Sequence, residues 1–252
     1  MTLPFIMVAP TGARHSKADH PALPLNTSQI LDEAAACADA GADALHLHVR
    51  DDAGAHSLSV RQYRKTITAL ADAVPNMRIQ VTTESAGRFN VPEQLACLED
   101  LQPDWASVSV REIARAPQLA HRLYHGCAER GTQVQHILYD PSDSEQLSTW
   151  QAAGVVPPEH NSVILVLGRY EGGRDAAVSD LDPFLAALPD GMDWMVCAFG
   201  PNEHACLTAG AARGGALRVG FENSLTTADG TPHASNAASV AALIRRLNGG
   251  QK

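Results

Sequence analysis

The run Pro4-Phe5-Ile6-Met7-Val8-Ala9 leads straight into Pro10-Thr11-Gly12-Ala13-Arg14. Its apolar residues read as a buried strand, and the turn after it separates two architectures. An open doubly wound sheet usually places a GxGxxG phosphate turn after its first strand. Pro10 to Arg14 holds one glycine and lacks that spacing. Seven further runs repeat the strand pattern, at 43–49, 77–83, 104–110, 132–139, 161–167, 193–199 and 216–222. Helical patterns fill the intervals at 28–40, 59–73, 92–101, 115–130, 143–153, 179–188, 201–213 and 234–247. In the first of these, Ile30, Ala34, Cys37 and Ala38 share one face. Asn26 or Thr27 can cap its start, and Gly41 stands where a left-handed residue ends a helix. Eight strands alternating with eight helices in 252 residues predict an α/β protein folded as a single (β/α)8 TIM barrel. No linker, low-complexity tract or charge block divides the chain, so residues 1–252 are expected to form one domain.

Composition excludes several classes of partner. The formal net charge is −9. Nucleic acid and anionic membrane surfaces both demand a basic face, so neither is expected to bind. No apolar run approaches the ~20 residues of a membrane span, and the N-terminus lacks a signal-peptide pattern. The five cysteines are scattered with no CxxC pair, which points to a reducing, cytoplasmic setting.

Chemistry concentrates in His46-Leu47-His48 on the second strand. Strand side chains alternate, so both imidazoles point into the barrel while Leu45, Leu47 and Val49 face the helices. Two converging imidazoles begin a divalent metal site, with zinc the usual occupant; two hydrogen-bonded core histidines are the alternative. On the last strand Arg218, Gly220 and Glu222 share a face. If that face is inward, Glu222 completes two histidines and a carboxylate at the barrel mouth; otherwise it is a surface ion-pair partner.

Arg14, Arg50, Arg88, Arg111 and Arg169 each follow a strand, and Arg218 lies in the last, so all six are expected to ring one end and favour an anionic substrate. Arg50 is expected to pair with Asp51 or Asp52. Gln80, Thr82 and Glu84, with Ser107, Ser109 and Arg111, make polar inner faces on strands three and four. His136 reads as a core or supporting histidine. His56, His121, His125, His160 and His233 read as helix or loop surface. Gly168-Arg169-Tyr170-Glu171-Gly172-Gly173-Arg174 is a glycine-rich basic turn.

With these residues in view the sequence resembles the β-keto acid cleavage enzymes. The likeness runs through Ala9-Pro10-Thr11-Gly12-Ala13, His20-Pro21-Ala22-Leu23-Pro24, His46-Leu47-His48-Val49-Arg50-Asp51, Gln80-Val81-Thr82-Thr83 and Arg218-Val219-Gly220-Phe221-Glu222-Asn223. The resemblance implies a zinc-dependent barrel, often a homo-oligomer. It would convert a β-keto acid and acetyl-CoA into acetoacetate and a new acyl-CoA. It also implies His46, His48 and Glu222 as zinc ligands and Arg218 as the catalytic arginine. Thr82, Thr83, Ser107 and Ser109 fall near substrate-holding hydroxyls. Three departures stand out. Asn223 takes the place of an Asp in the catalytic pair, and an amide cannot act as a carboxylate base. Glu84-Ser85 replaces Gly-Gly, which adds Glu84 to the expected substrate contacts. Arg14 replaces an acidic residue that holds a substrate ammonium, favouring a keto acid with an anionic distal group. A zinc hydrolase or retro-aldolase on a small anionic substrate is the alternative; either would ignore acetyl-CoA.

Overall fold

Eight short runs of β-favouring residues pair edge to edge until the last meets the first. The computed structural model describes residues 3–169 and 173–249. The strands are β1 (Ile6–Val8), β2 (Ala44–Leu47), β3 (Arg78–Thr82), β4 (Trp105–Ser109), β5 (Gln133–Leu138), β6 (Ser162–Leu167), β7 (Asp193–Ala198) and β8 (Ala216–Val219). All pair in parallel, each with its sequence neighbours, and β8 closes onto β1. This is the predicted TIM barrel.

Alternation sorts every strand into two layers. Ile6, Val8, Leu45, Leu47, Val163 and Leu165 pack outward in the layer shared with the helices. Met7, Ala44, Trp105, Ile137, Ile164, Val166 and Met195 fill a separate interior cluster. Removing each such side chain from water contributes about 1.5–3 kcal/mol.

The helices are α1 (Thr27–Asp39), α2 (Val60–Ala73), α3 (Val91–Leu101), α4 (Val110–Ile113), α5 (Ala120–Glu129), α6 (Pro141–Ala152), α7 (Leu181–Ala187), α8 (Glu203–Ala212) and α9 (Asn236–Gly249). Asn26 caps α1 by accepting the Gln29 N–H, and Gly41 follows at φ +104°. The helix expected at 115–130 begins only at Ala120. A single turn, α4, rises directly off β4; a 3-10 turn at Pro117–Leu119 then leads into α5. The proline at a helix start supplies the break. Among the described residues no helix is long and apolar enough to cross a membrane.

Two strands end two or more residues earlier than the sequence suggests, both where chemistry is expected. β2 stops at Leu47, and Val49–Arg50 turns away to pair antiparallel with His56–Ser57. β8 stops at Val219, three residues before Glu222.

Candidate active site

Glu222 and the two histidines reach the barrel mouth by different routes. His46 comes from β2 itself, His48 from the residue just past it, and Glu222 from the turn after β8. That turn is held from three sides. The Glu222 N–H donates to the Ala9 carbonyl (3.0 Å), Gly220 N–H to Glu203 Oε1 (3.0 Å) and Phe221 N–H to Asn236 Oδ1 (2.7 Å). Gly220 sits at φ +138°, where a Cβ would come within 2.7 Å of the Ala9 oxygen. Across from it, Gly12 at φ +61° lies so close that a Cβ would be 2.9 Å from Glu222 Cγ. Only glycine satisfies either position.

Hydrogen-bond chemistry fixes both imidazoles in one tautomer. Gln80 Nε2 donates to Gln135 Oε1 (3.0 Å), which turns the Gln80 carbonyl oxygen toward His46 Nδ1 at 2.7 Å. His46 Nδ1 is therefore the donor and its Nε2 bears a lone pair. On the other ring, His56 Nε2 donates to the Glu84 carbonyl (2.8 Å), so His56 Nδ1 accepts from His48 Nδ1 at 3.4 Å. In its neutral form His48 therefore also carries its lone pair on Nε2. The two lone pairs face each other across 3.2 Å, and neither nitrogen can donate to the other.

Glu222 Oε2 lies 3.1 Å from His48 Nε2 and 3.7 Å from His46 Nε2, yet has no hydrogen-bond partner among the described residues. Three acceptors gathered without a proton between them repel unless a cation joins them. Donor atoms around a tetrahedral ion with bonds of 2.0–2.2 Å stand about 3.4 Å apart, a spacing these three atoms bracket. The donor set thus fits a divalent ion, and the Gln80 and His56 contacts are the outer partners that such ligands require.

The charges agree. Burial holds the His46 imidazole down to about 3, so it is neutral. Burial opposes ionisation of Glu222, but the Arg218 guanidinium, with Nη2 3.0 Å from Oε1, outweighs it and keeps the carboxyl well below its usual range. The triad opens into a cavity of about 430 Å³. Its lining includes Arg14, Thr82 and Glu84 on one side and Ile137, Tyr139, Val166 and Phe199 on the other.

The sequence matches the family model described as beta-keto acid cleavage enzyme over residues 4–250. The chain belongs to the β-keto acid cleavage enzyme family. It is 26% identical over 249 residues to the 3-keto-5-aminohexanoate cleavage enzyme of Acetoanaerobium sticklandii, covering 95% of this chain and 90% of that one. It is 32% identical over 114 residues to the 3-oxoadipate:acetyl-CoA acetyltransferase of Cupriavidus necator, covering 45% of this chain and 39% of that one. Among solved structures, apo ObcA has the same fold at TM-score 0.67 and 16% identity, over 91% of this chain and 62% of that one.

The other expected site residues of this β-keto acid cleavage enzyme divide. Thr82 and Glu84 share the inward face and line the cavity, whereas Thr83 points the other way and donates to the Ser107 carbonyl (2.9 Å). Ser107 and Ser109 are buried with hydroxyls that have no hydrogen-bond partner among the described residues. Asn223 is also buried, and among the described residues neither amide atom finds a partner. Arg14 lines the cavity, but its Nη2 is 3.7 Å from Glu84 Oε1.

Several readings need correction. Of the six arginines expected to ring the mouth, Arg14, Arg111, Arg169 and Arg218 line the cavity. Arg50 instead turns inward, where its guanidinium donates to the carbonyls of Gly12, His15 and Gly54 and so clamps the first turn. Arg88 lies outside the cavity, 3.8 Å from Asp51. His56, His160 and His233 are buried rather than on the surface. His56 is brought under His48 by the short hairpin, a contact the turn-forming Asp51-Asp52-Ala53-Gly54 signals in retrospect. His136 is a core histidine, 3.1 Å from the His160 carbonyl. Of the glycine-rich basic turn, residues 170–172 lie outside the described residues, while Arg169 pairs with Asp140 (3.3 Å). Arg115, Tyr139 and Phe199 line the cavity without having been anticipated. A second set, Glu203, His204 and His233, also brings ligand atoms together. There Ser239 Oγ occupies His204 Nε2 (2.9 Å) and Gly220 occupies Glu203 Oε1, so those groups already have protein partners.

Proposed function

We propose that the enzyme converts a β-keto acid and acetyl-CoA into acetoacetate and a new acyl-CoA, with His46, His48 and Glu222 holding one zinc ion. The observation that carries this reading is the pair of bare Nε2 lone pairs facing the Glu222 carboxylate, a donor set built for a cation. When bound, such an ion supplies Lewis-acid stabilisation of negative charge on the keto acid's oxygens.

Bonds and protons balance across the reaction. The carbon between the two carbonyls loses a proton and bonds to the acetyl carbon, expelling the coenzyme A thiolate. The thiolate then attacks the original keto carbon, the neighbouring carbon–carbon bond breaks, and acetoacetate recovers the proton. In this scheme Arg218, buried beside Glu222, presents fixed positive charge where the enolate develops. The partnerless hydroxyls of Ser107 and Ser109, with the cavity-lining Thr82, offer donors to substrate oxygens. Asn223 is neutral and cannot accept the proton as a carboxylate would. The guanidinium groups around the cavity favour a keto acid with an anionic distal group, and the family relatives named above, one of them acting on 3-oxoadipate, support both the co-substrate and that class.

The test is metal analysis of purified protein beside His46→Ala, joined to an acetyl-CoA-dependent screen of β-keto acids. One zinc per chain, lost in the variant, with turnover only when acetyl-CoA is present, supports the reading. Turnover of the same acids without acetyl-CoA would replace it with hydrolysis or retro-aldol cleavage.

A further inference from the structure

Four exposed arginines line the cavity, and three of them are already engaged. Arg14 faces Glu84 at 3.7 Å and Arg169 faces Asp140 at 3.3 Å. Arg115 donates to the Glu112 carbonyl (3.0 Å) and to Gln94 Oε1 (3.3 Å). Arg111 differs. Its guanidinium carbon lies 3.6 Å over the centre of the Tyr139 ring, and it makes no ion pair or side-chain hydrogen bond among the described residues.

Stacking uses a face of the guanidinium and leaves its edge free. The N–H donors lie in the plane, so an arginine fixed flat on an aromatic ring keeps its two-pronged fork for a carboxylate. Nearby carboxylates are committed elsewhere. Glu112 accepts from the Ser85 N–H and hydroxyl and from Gln94 Nε2, and Asp143 accepts the N–H groups of Tyr139 and Asp140 at the start of α6.

Position in the barrel gives the fork its meaning. Arg111 follows β4 and Tyr139 follows β5, the strands that stand opposite β8 and β1 in the closed ring. Glu222 follows β8, and the histidines come from β2, on the other flank of β1. Between the two sides the cavity wall carries Ile137, Val166 and Phe199. The order across the mouth is therefore a head-group site, an apolar span and a fork for an anion.

We propose that Arg111, stacked on Tyr139, is the subsite for the far carboxylate of a dicarboxylic β-keto acid, whose methylene chain crosses the apolar wall. This rests on the reading of the cavity as a β-keto acid site and assigns the distal anion to Arg111 rather than Arg14.

The experiment compares 3-oxoadipate with 3-oxohexanoate, equal in chain length but neutral at the far end, in wild type and Arg111→Gln. The expected result is a fall of about tenfold to a hundredfold in the ratio of kcat/KM values, carried by KM for 3-oxoadipate. Arg111→Lys should recover part of the ratio, since a lysine keeps the charge but not the fork. Equal losses on both acids, or a rise confined to KM for acetyl-CoA, would overturn the assignment; the latter gives Arg111 to a coenzyme phosphate. Calorimetry with adipate separates this from the reaction itself. If wild type turns over neither acid, the proposed reaction fails. Weaker adipate binding in Arg111→Gln would still support the subsite, and unchanged binding would refute it.

Discussion

The centre of the barrel mouth and its rim hold charge in opposite ways. At the centre, the side chains of His46, His48, Arg218 and Glu222 are at most 6% exposed, and each imidazole is set by an outer partner. At the rim, Arg14 and Arg169 are 39% and 46% exposed and meet acidic groups at 3.7 and 3.3 Å. Water screens the second kind of interaction and not the first. Identical residue types therefore differ in consequence by where they stand, and substitutions should grade accordingly.

The largest effect is expected at the centre. His48→Ala should abolish binding of the proposed ion and lower turnover on the order of a thousandfold or more, because it removes a proposed ligand and leaves Glu222 buried beside one histidine fewer. Metal content and kcat measured on the same preparation check it. A variant that keeps its ion and its rate breaks the contrast outright.

One step out, Gln80→Leu and His56→Phe each remove the partner that holds a histidine in its tautomer. Metal affinity should fall about tenfold to a hundredfold in each, read by competition with a chelator, while all three ligands remain. An unchanged affinity would mean that the imidazoles are positioned by backbone and packing alone.

These tiers also separate what the chain disclosed from what it withheld. His46 and His48 were legible because a period of two on an apolar strand is a local rule, and Glu222 because Arg218, Gly220 and Glu222 sit near a predicted strand end. The barrel followed from eightfold alternation, another local pattern repeated. His56 and Arg50 were misread because their surroundings are made by tertiary contact. A short hairpin of two-residue strands folds His56 back under His48, and Arg50 satisfies carbonyls of a turn some 35 to 38 residues earlier in the chain. Thr83 was grouped with Thr82 although alternation alone sends its hydroxyl to the opposite face, where it meets the Ser107 carbonyl. Tyr139 and Phe199 carried no signal, since an aromatic at a strand end looks the same whether it packs or lines a cavity.

Gly12→Ala sharpens the boundary of the centre. The added Cβ would meet Glu222 Cγ at 2.9 Å from a backbone at φ +61°, so both strain and displacement act on the carboxylate. A stability loss of about 1–3 kcal/mol is expected from the strained backbone. Metal affinity should weaken alongside it. Chemical denaturation with a parallel chelator titration measures both. Loss of stability with full metal affinity would show that Glu222 tolerates a shift the histidines do not.

The smallest effect belongs to Arg14. An exposed pair at 3.7 Å contributes between nothing and ~1 kcal/mol, so Arg14→Gln should leave denaturation midpoints nearly unchanged. Its charge is directed at Glu84, so the preference for an acid with a charged tail over a neutral one should move by no more than about threefold. Arg14→Glu is the harsher version, since it sets a second carboxylate beside Glu84 at the edge of the cavity. If that reversal also spares the preference, the distal anion is held on the β4–β5 side. If it abolishes the preference while Arg111→Gln does not, the rim has been assigned to the wrong arginine and Glu84 yields Arg14 when substrate arrives.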